Sequence, residues 1–178
     1  MSASSWTSAP DTRPGPGWRP DGTGAAVFAR GGLTPLEDPH PASAAATVDG
    51  LLHVSSVLPW RSAGAPELWG GSNHASKMAA TLETIEAFRS GKDVVWGGDW
   101  NQSLHGPECA GSKAGRIHLQ NTLERLQLVA PTSVLSHRID GIRSIDHVAA
   151  RADRPVHSAI RCDATGLSDH DAYVVDLG

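Results

Sequence analysis

Cysteine is almost absent from this chain. Its 178 residues hold two, Cys109 and Cys162, far apart and with no CxxC spacing. A zinc site built on thiolates is therefore not written here, and at most one disulfide can form. Lysine is equally scarce: Lys77, Lys92 and Lys113 stand against 12 Arg, a bias read as codon preference rather than phosphate recognition. Aromatic residues make up 5%, with six Trp beside one Tyr and two Phe. The net charge is −4, so no broad basic face is needed to balance the count. That argues against a protein that grips long nucleic acid mainly through phosphates, while leaving room for a local basic patch. No apolar run is long enough to span a bilayer, and the first 20 residues lack the apolar core of a secretory signal. The expectation is a soluble, cytoplasmic protein with no membrane partner.

What remains is enough for one domain with a sizeable core. Residues 1–23 carry Pro10, Pro14, Pro16 and Pro20 with several Gly, and read as an extended or disordered arm. Residues 24–178 form the domain. A first strand is expected over 25–30, a Pro-rich loop over 33–43, and a strand over 51–58 that Pro59 ends. Another loop follows over 62–72. Met78, Leu82, Ile85 and Phe88 recur at steps of three and four, which predicts a helix from His74 to Arg89 with Asn73 as N-cap and Gly91 as stop. Asp93–Trp96 is a short strand. Leu119, Leu123 and Leu126 share a face of a second helix from about Ala114, with Ile117 off the stripe. Strands over 144–149, 156–161 and 172–177 close the chain. Strands and helices mix without strict alternation, which favours an α+β sandwich over a doubly wound parallel sheet.

Three short segments concentrate chemistry, each beside an apolar strand, where a rigid scaffold presents functional groups. In Gly97-Gly98-Asp99-Trp100-Asn101, an extended backbone would point Asp99 and Asn101 the same way. A carboxylate there can orient or deprotonate water, and an amide can donate to a phosphoryl oxygen. By itself the segment also reads as an Asx-rich turn. In Ser144-Ile145-Asp146-His147-Val148, a carboxylate between Ile and Val needs a partner, usually Arg or His. His147 falls on the opposite face and stays outside the site. In Leu167-Ser168-Asp169-His170-Asp171, three ionisable groups in a row are costly to crowd unless a bound ion offsets part of that cost. Asp169 is a hard oxygen ligand suited to Mg²⁺. His170 can act as acid, base or charge stabiliser if a carboxylate orients it.

Taken together, GDxN, IDH and SDH in this order resemble the endonuclease/exonuclease/phosphatase superfamily, which includes deoxyribonucleases, abasic-site endonucleases, sphingomyelinases and inositol-phosphate phosphatases. The resemblance covers roughly Ala25 to Leu177 and is strongest from Val94 onward. It implies two stacked β-sheets flanked by helices and hydrolysis of a phosphoester, in a small molecule or a nucleic acid, assisted by Mg²⁺ with Mn²⁺ as the alternative ion. Residue by residue, it implies that Asp99 positions or deprotonates water and Asn101 holds the scissile phosphate. Asp146 orients His170, Asp169 binds metal, and His170 neutralises charge on the phosphoryl group.

The family pattern opens with a strand carrying an Asn and a segment ending Gln-Glu, whose Glu ligates Mg²⁺. Neither is present here. Glu37 and Glu67 are the Glu residues before the first helix, and both lie in loops with other flanks. Val57 stands where many members have His, with Arg61 just beyond as a substitute charge or a plain surface residue. The resemblance thus implies an N-terminally truncated member, with sheet edges that a partner chain would cover. An inactive remnant or a phosphoester-binding module is the alternative. A serine hydrolase using Ser168 and His170 is disfavoured, since residues two apart rarely meet as nucleophile and base and no GxSxG turn is present.

Overall fold

The structure, a computed structural model, describes Thr7–Ser8 and residues 24–64, 66–89 and 91–178. The expected arm over 1–23 lies outside the described residues, apart from β1 (Thr7–Ser8), which pairs antiparallel with β2 (Phe28–Ala29). No helix among the described residues is long and apolar enough to cross a membrane.

The central element is a six-stranded mixed sheet. It comprises β3 (Leu33–Pro35), β4 (Ser43–Val48), β5 (Leu51–Ser56), β6 (Val94–Asp99), β7 (Leu128–Val129) and β8 (Asp146–Arg151), in the order β3-β4-β5-β6-β8-β7. All neighbours are antiparallel except β5 and β6. Parallel neighbours need a crossover, and α2 (His74–Arg89) supplies it. The short α1 (Pro66–Trp69) precedes it, and α3 (Lys113–Arg125) follows β6. A second, two-stranded sheet pairs β9 (Val156–Cys162) with β10 (Ala172–Leu177), and β10 contacts β8. The α+β layering expected from the sequence is therefore present.

The helical stripes do what their spacing demands. Met78, Leu82 and Ile85 of α2 and Leu119 and Leu123 of α3 are buried in one cluster with Leu52, Val54, Val94 and Trp96 of the sheet. Ile117 stays exposed, as its phase requires. Asn73 caps α2 by accepting from Ser76 N at 3.0 Å, and Ser112 caps α3 by accepting from Gly115 N at 3.1 Å.

Several expectations are corrected. The presumed loop over 33–43 contains β3 and leads into β4, a strand the sequence pattern did not announce. Its Ala-rich SAAATV run has weak strand preference, but it pairs with β5 along its whole length from Ser43↔Ser56 to Val48↔Leu51. Asp49 and Gly50 make the tight turn between them, with φ of 50° and 81°. An Asp-Gly pair is a hairpin signal, and it was the available clue. The first strand shrinks from 25–30 to Phe28–Ala29, and α1 interrupts the loop over 62–72. The strand placed at 144–149 runs instead from Asp146 to Arg151.

Candidate active site

Strand β6 carries Asp99 at its last position, directly opposite Asp146 at the first position of β8. Two carboxylates thus face each other across a ladder, an arrangement that destabilises a sheet unless something offsets it. On the other side of β6, Gly98 allows close approach to the end of β5. Its φ is 129°, and a Cβ there would meet Ser56 O at 2.2 Å. Only glycine fits this step of the strand.

Beyond Asp99 the chain does not stay extended. Trp100 is fully buried, with ring centroids 4.2 Å from Trp96 and 5.0 Å from His147. Asn101 takes φ 52°, a left-handed conformation that Asn tolerates. Asp99 and Asn101 do converge, but through this turn rather than through strand alternation. The Asp99 carboxylate accepts from Asn101 N at 3.0 Å and from Asn101 Nδ2 at 3.1 Å. Asn101 Nδ2 also donates to Leu58 O at 3.0 Å, so both amide hydrogens are engaged.

His170 comes from the loop before β10. Its Nδ1 lies 2.9 and 3.1 Å from the two carboxylate oxygens of Asp146. One ligand atom each from Asp99, Asp146 and His170 all fall within 4.8 Å of one another. Asp169 lies outside that group and is exposed, but its charge acts on both Asp99 and His170. Ser168 Oγ accepts from the His170 backbone amide at 3.0 Å, while the ring turns to Asp146. That orientation removes the basis for a Ser–His pair.

Charge is poised in this cluster. Burial raises the Asp99 carboxyl above its ordinary value, against the pull of His170 and the Asn101 hydrogen bonds. Burial and then repulsion from Asp99 push Asp146 up to about 6, with His170 opposing. Burial alone would lower His170, but Asp146, Asp99 and Asp169 together raise it. Groups with environments of this kind mark functional sites. The donor set also fits a hard divalent cation, which would relieve the mutual repulsion of the carboxylates.

His147 faces the other way, as strand alternation requires. Its Nε2 lies 3.0 Å from Gln102 O and its Nδ1 3.2 Å from Thr132 Oγ1, and burial pushes it down to about 4. It is a neutral structural imidazole. Arg61 Nε and Nη2 both donate to Gly111 O, at 3.0 and 2.5 Å, which ties down a loop. Val57 packs against Ala42, Ala63 and Trp69. Glu37 and Glu67 are exposed and outside the group. Sequence reasoning missed the environment of Asp171, which is not crowded against its neighbours in the site. It turns inward to Arg161 and Arg138. No local signal marked that pairing, since the partners lie 10 and 33 positions away in the chain.

This site stands at the ends of strands in a layered sheet that solved nucleases and phosphatases share. The fold is one that these solved nucleases and phosphatases share. A 3'-5' exonuclease from Neisseria meningitidis is similar with a TM-score of 0.65 at 17% identity, covering 85% of this chain and 74% of that one. A 3' phosphatase from Neisseria bound to a product DNA hairpin gives a TM-score of 0.64 at 17% identity, covering 86% and 74%. An AP endonuclease from Archaeoglobus fulgidus gives 0.64 at 14% identity, covering 85% and 74%. No protein-family profile matches the sequence, and no curated protein matches it.

Proposed function

We propose that this chain hydrolyses a phosphoester bond by direct attack of water, with Mg²⁺ or Mn²⁺ assisting. The observation that carries the reading is the convergence of Asp99, Asp146 and His170 within 4.8 Å at the strand ends of this fold. Phosphoryl transfer asks little covalent chemistry of a protein. It asks for positioned water and electrostatic stabilisation.

Asp99, raised by burial, accepts a proton from the attacking water. Asn101 holds that carboxylate still through its backbone and side-chain amides, and it reaches a phosphoryl oxygen only by releasing one of those bonds. Asp146 accepts from His170 Nδ1 and fixes the ring, so Nε2–H is directed toward the phosphoryl group. His170, held protonated by the surrounding carboxylates, neutralises developing charge. Asp169, outside the 4.8 Å group but with its charge acting on Asp99, would hold the cation. A bound divalent cation supplies Lewis-acid polarisation of the phosphoryl group. The nucleic-acid substrates of the solved neighbours support a phosphodiester as the first substrate to try.

A second reading, phosphoester binding without turnover, draws on the exposure of Glu37 and Glu67 outside the cluster. A chromogenic phosphodiester assayed with Mg²⁺, with Mn²⁺ and with chelator separates the two. Metal-dependent turnover that is lost in His170→Ala supports hydrolysis. A folded chain without turnover, yet with phosphoester binding, supports the second reading.

A further inference from the structure

The loop that carries Asp169 and His170 has little apolar packing to hold it. Thr165, Gly166, Leu167, Ser168 and Asp169 are all exposed, Leu167 to 92%. Its own backbone bonds are local: Leu167 N to Ala164 O at 2.9 Å and Ser168 N to Ala164 O at 3.1 Å. Such a segment is drawn from the low-stability end of a fold. A phosphoryl site, by contrast, tolerates little misplacement of its acid.

One buried carboxylate resolves this. The Asp171 side chain is only 1% exposed. It accepts from Arg161 Nε at 2.6 Å and from Ala164 N at 3.2 Å, and it lies 3.4 Å from Arg138 Nη2. The Ala164 amide first, then Arg161, hold it ionised. Both arginines reach onward. Arg138 Nη1 donates to Ser168 O at 2.9 Å and Nη2 to Thr165 Oγ1 at 3.1 Å. Arg161 Nη1 donates to Ser136 Oγ and His137 O, each at 3.0 Å. Tyr173 Oη donates to Ser136 O at 3.1 Å. A single anion thus joins three segments: the hairpin around residues 136–143, the end of β9, and the 163–170 loop. The planar fork of Arg suits such double duty, and Lys does not.

We infer that Asp171, clamped between Arg161 and Arg138, is a positioning residue that holds the His170 imidazole against Asp146. It touches no reacting atom. It acts by fixing both ends of the loop that presents His170 and Asp169. Its kinetic consequence rests on the phosphoesterase reading, but its geometric consequence does not.

The test uses the full chain, metal-free, with ¹⁵N-labelled histidine and long-range proton–nitrogen spectra. His170→Asn identifies the His170 signals, and His147, buried on the far face of β8, reports whether the fold is intact. In Asp171→Asn the His170 Nδ1–H should exchange with water at least tenfold faster than in the wild type, with His147 unmoved. Arg138→Gln, at a more exposed partner, should give the same direction and decides the matter if Asp171→Asn does not fold. Arg138→Lys should lie nearer Arg138→Gln than wild type, because the fork is lost while the charge remains. His170 signals that superimpose on wild type in folded Asp171→Asn and in Arg138→Gln overturn the inference. In parallel, kcat on a chromogenic phosphodiester should fall at least tenfold in Asp171→Asn with KM changed less than about threefold. A wild-type chain that hydrolyses nothing refutes the phosphoesterase reading alone, while the spectra still decide the clamp.

Discussion

Replacing Asp146 with Asn should stabilise the protein at neutral pH relative to acid while abolishing the proposed phosphoester hydrolysis. The Asp146 carboxyl is moved from 3.8 to about 6, chiefly by burial and by Asp99. Its folded pKa is thus raised, so the native state binds the proton more tightly than the unfolded chain. Stability from this group is complete below about pH 4 and is lost as pH rises through about 6. Two units at 1.36 kcal/mol each amount to about 3 kcal/mol. His147 works in the opposite sense. Its pKa is lowered from 6.5 to about 4, so its stability is present above 6.5 and lost as pH falls toward 4, again by about 3 kcal/mol. The two nearly offset each other in the wild type between pH 4 and 6.5. Of these two, the His147 contribution alone remains in Asp146→Asn. Urea unfolding across pH 4 to 8 should therefore show the variant gaining about 3 kcal/mol on the wild type from the acid to the neutral end. Parallel stability curves for the two proteins would refute the reasoning, as would a variant that loses ground on going from pH 4 to 8.

Other outcomes follow from the same geometry. The rate of phosphodiester hydrolysis should rise as Asp146 ionises near pH 6 and fall again as His170 loses its proton above its ordinary value, giving a bell-shaped profile of kcat/KM against pH. Gly98→Ala places a methyl group 2.2 Å from Ser56 O on a backbone at φ 129°, and it should cost about 3 kcal/mol or more, measured by the urea midpoint. His147→Ala removes a fully buried ring packed on Trp100, and its thermal midpoint should fall even at pH 8, where both the folded and unfolded rings are neutral. Leu82→Ala, at the contact between α2 and the sheet, should cost about 2 to 5 kcal/mol without altering the pH profile of hydrolysis.

Much of this protein can be read directly from its chain. The spacing of Met78, Leu82 and Ile85, and of Leu119 and Leu123, determined two helices and their buried faces, because a helix repeats its own geometry every turn. GDxN, IDH and SDH, through their resemblance to a family pattern, pointed to Asp99, Asn101, Asp146, Asp169 and His170; the structure brings Asp99, Asp146 and His170 together with Asn101 bonded to Asp99, and leaves Asp169 outside that group. Other features belonged to the tertiary structure alone. β4 exists because β5 pairs with it through the Asp49-Gly50 turn, not because alanine favours a strand. Asn101 reaches Asp99 through a left-handed residue, which no alternation rule contains. Asp99 faces Asp146 only because β6 and β8 adopt that register, and from that contact come burial, repulsion and the pKa near 6. The partners of Asp171 lie on the hairpin and on β9, so the identity of that carboxylate as a clamp was decided in space. Local pattern sets what each segment can become. Pairing between segments distant in the chain decides which charges meet, how deeply they are buried, and what they can do.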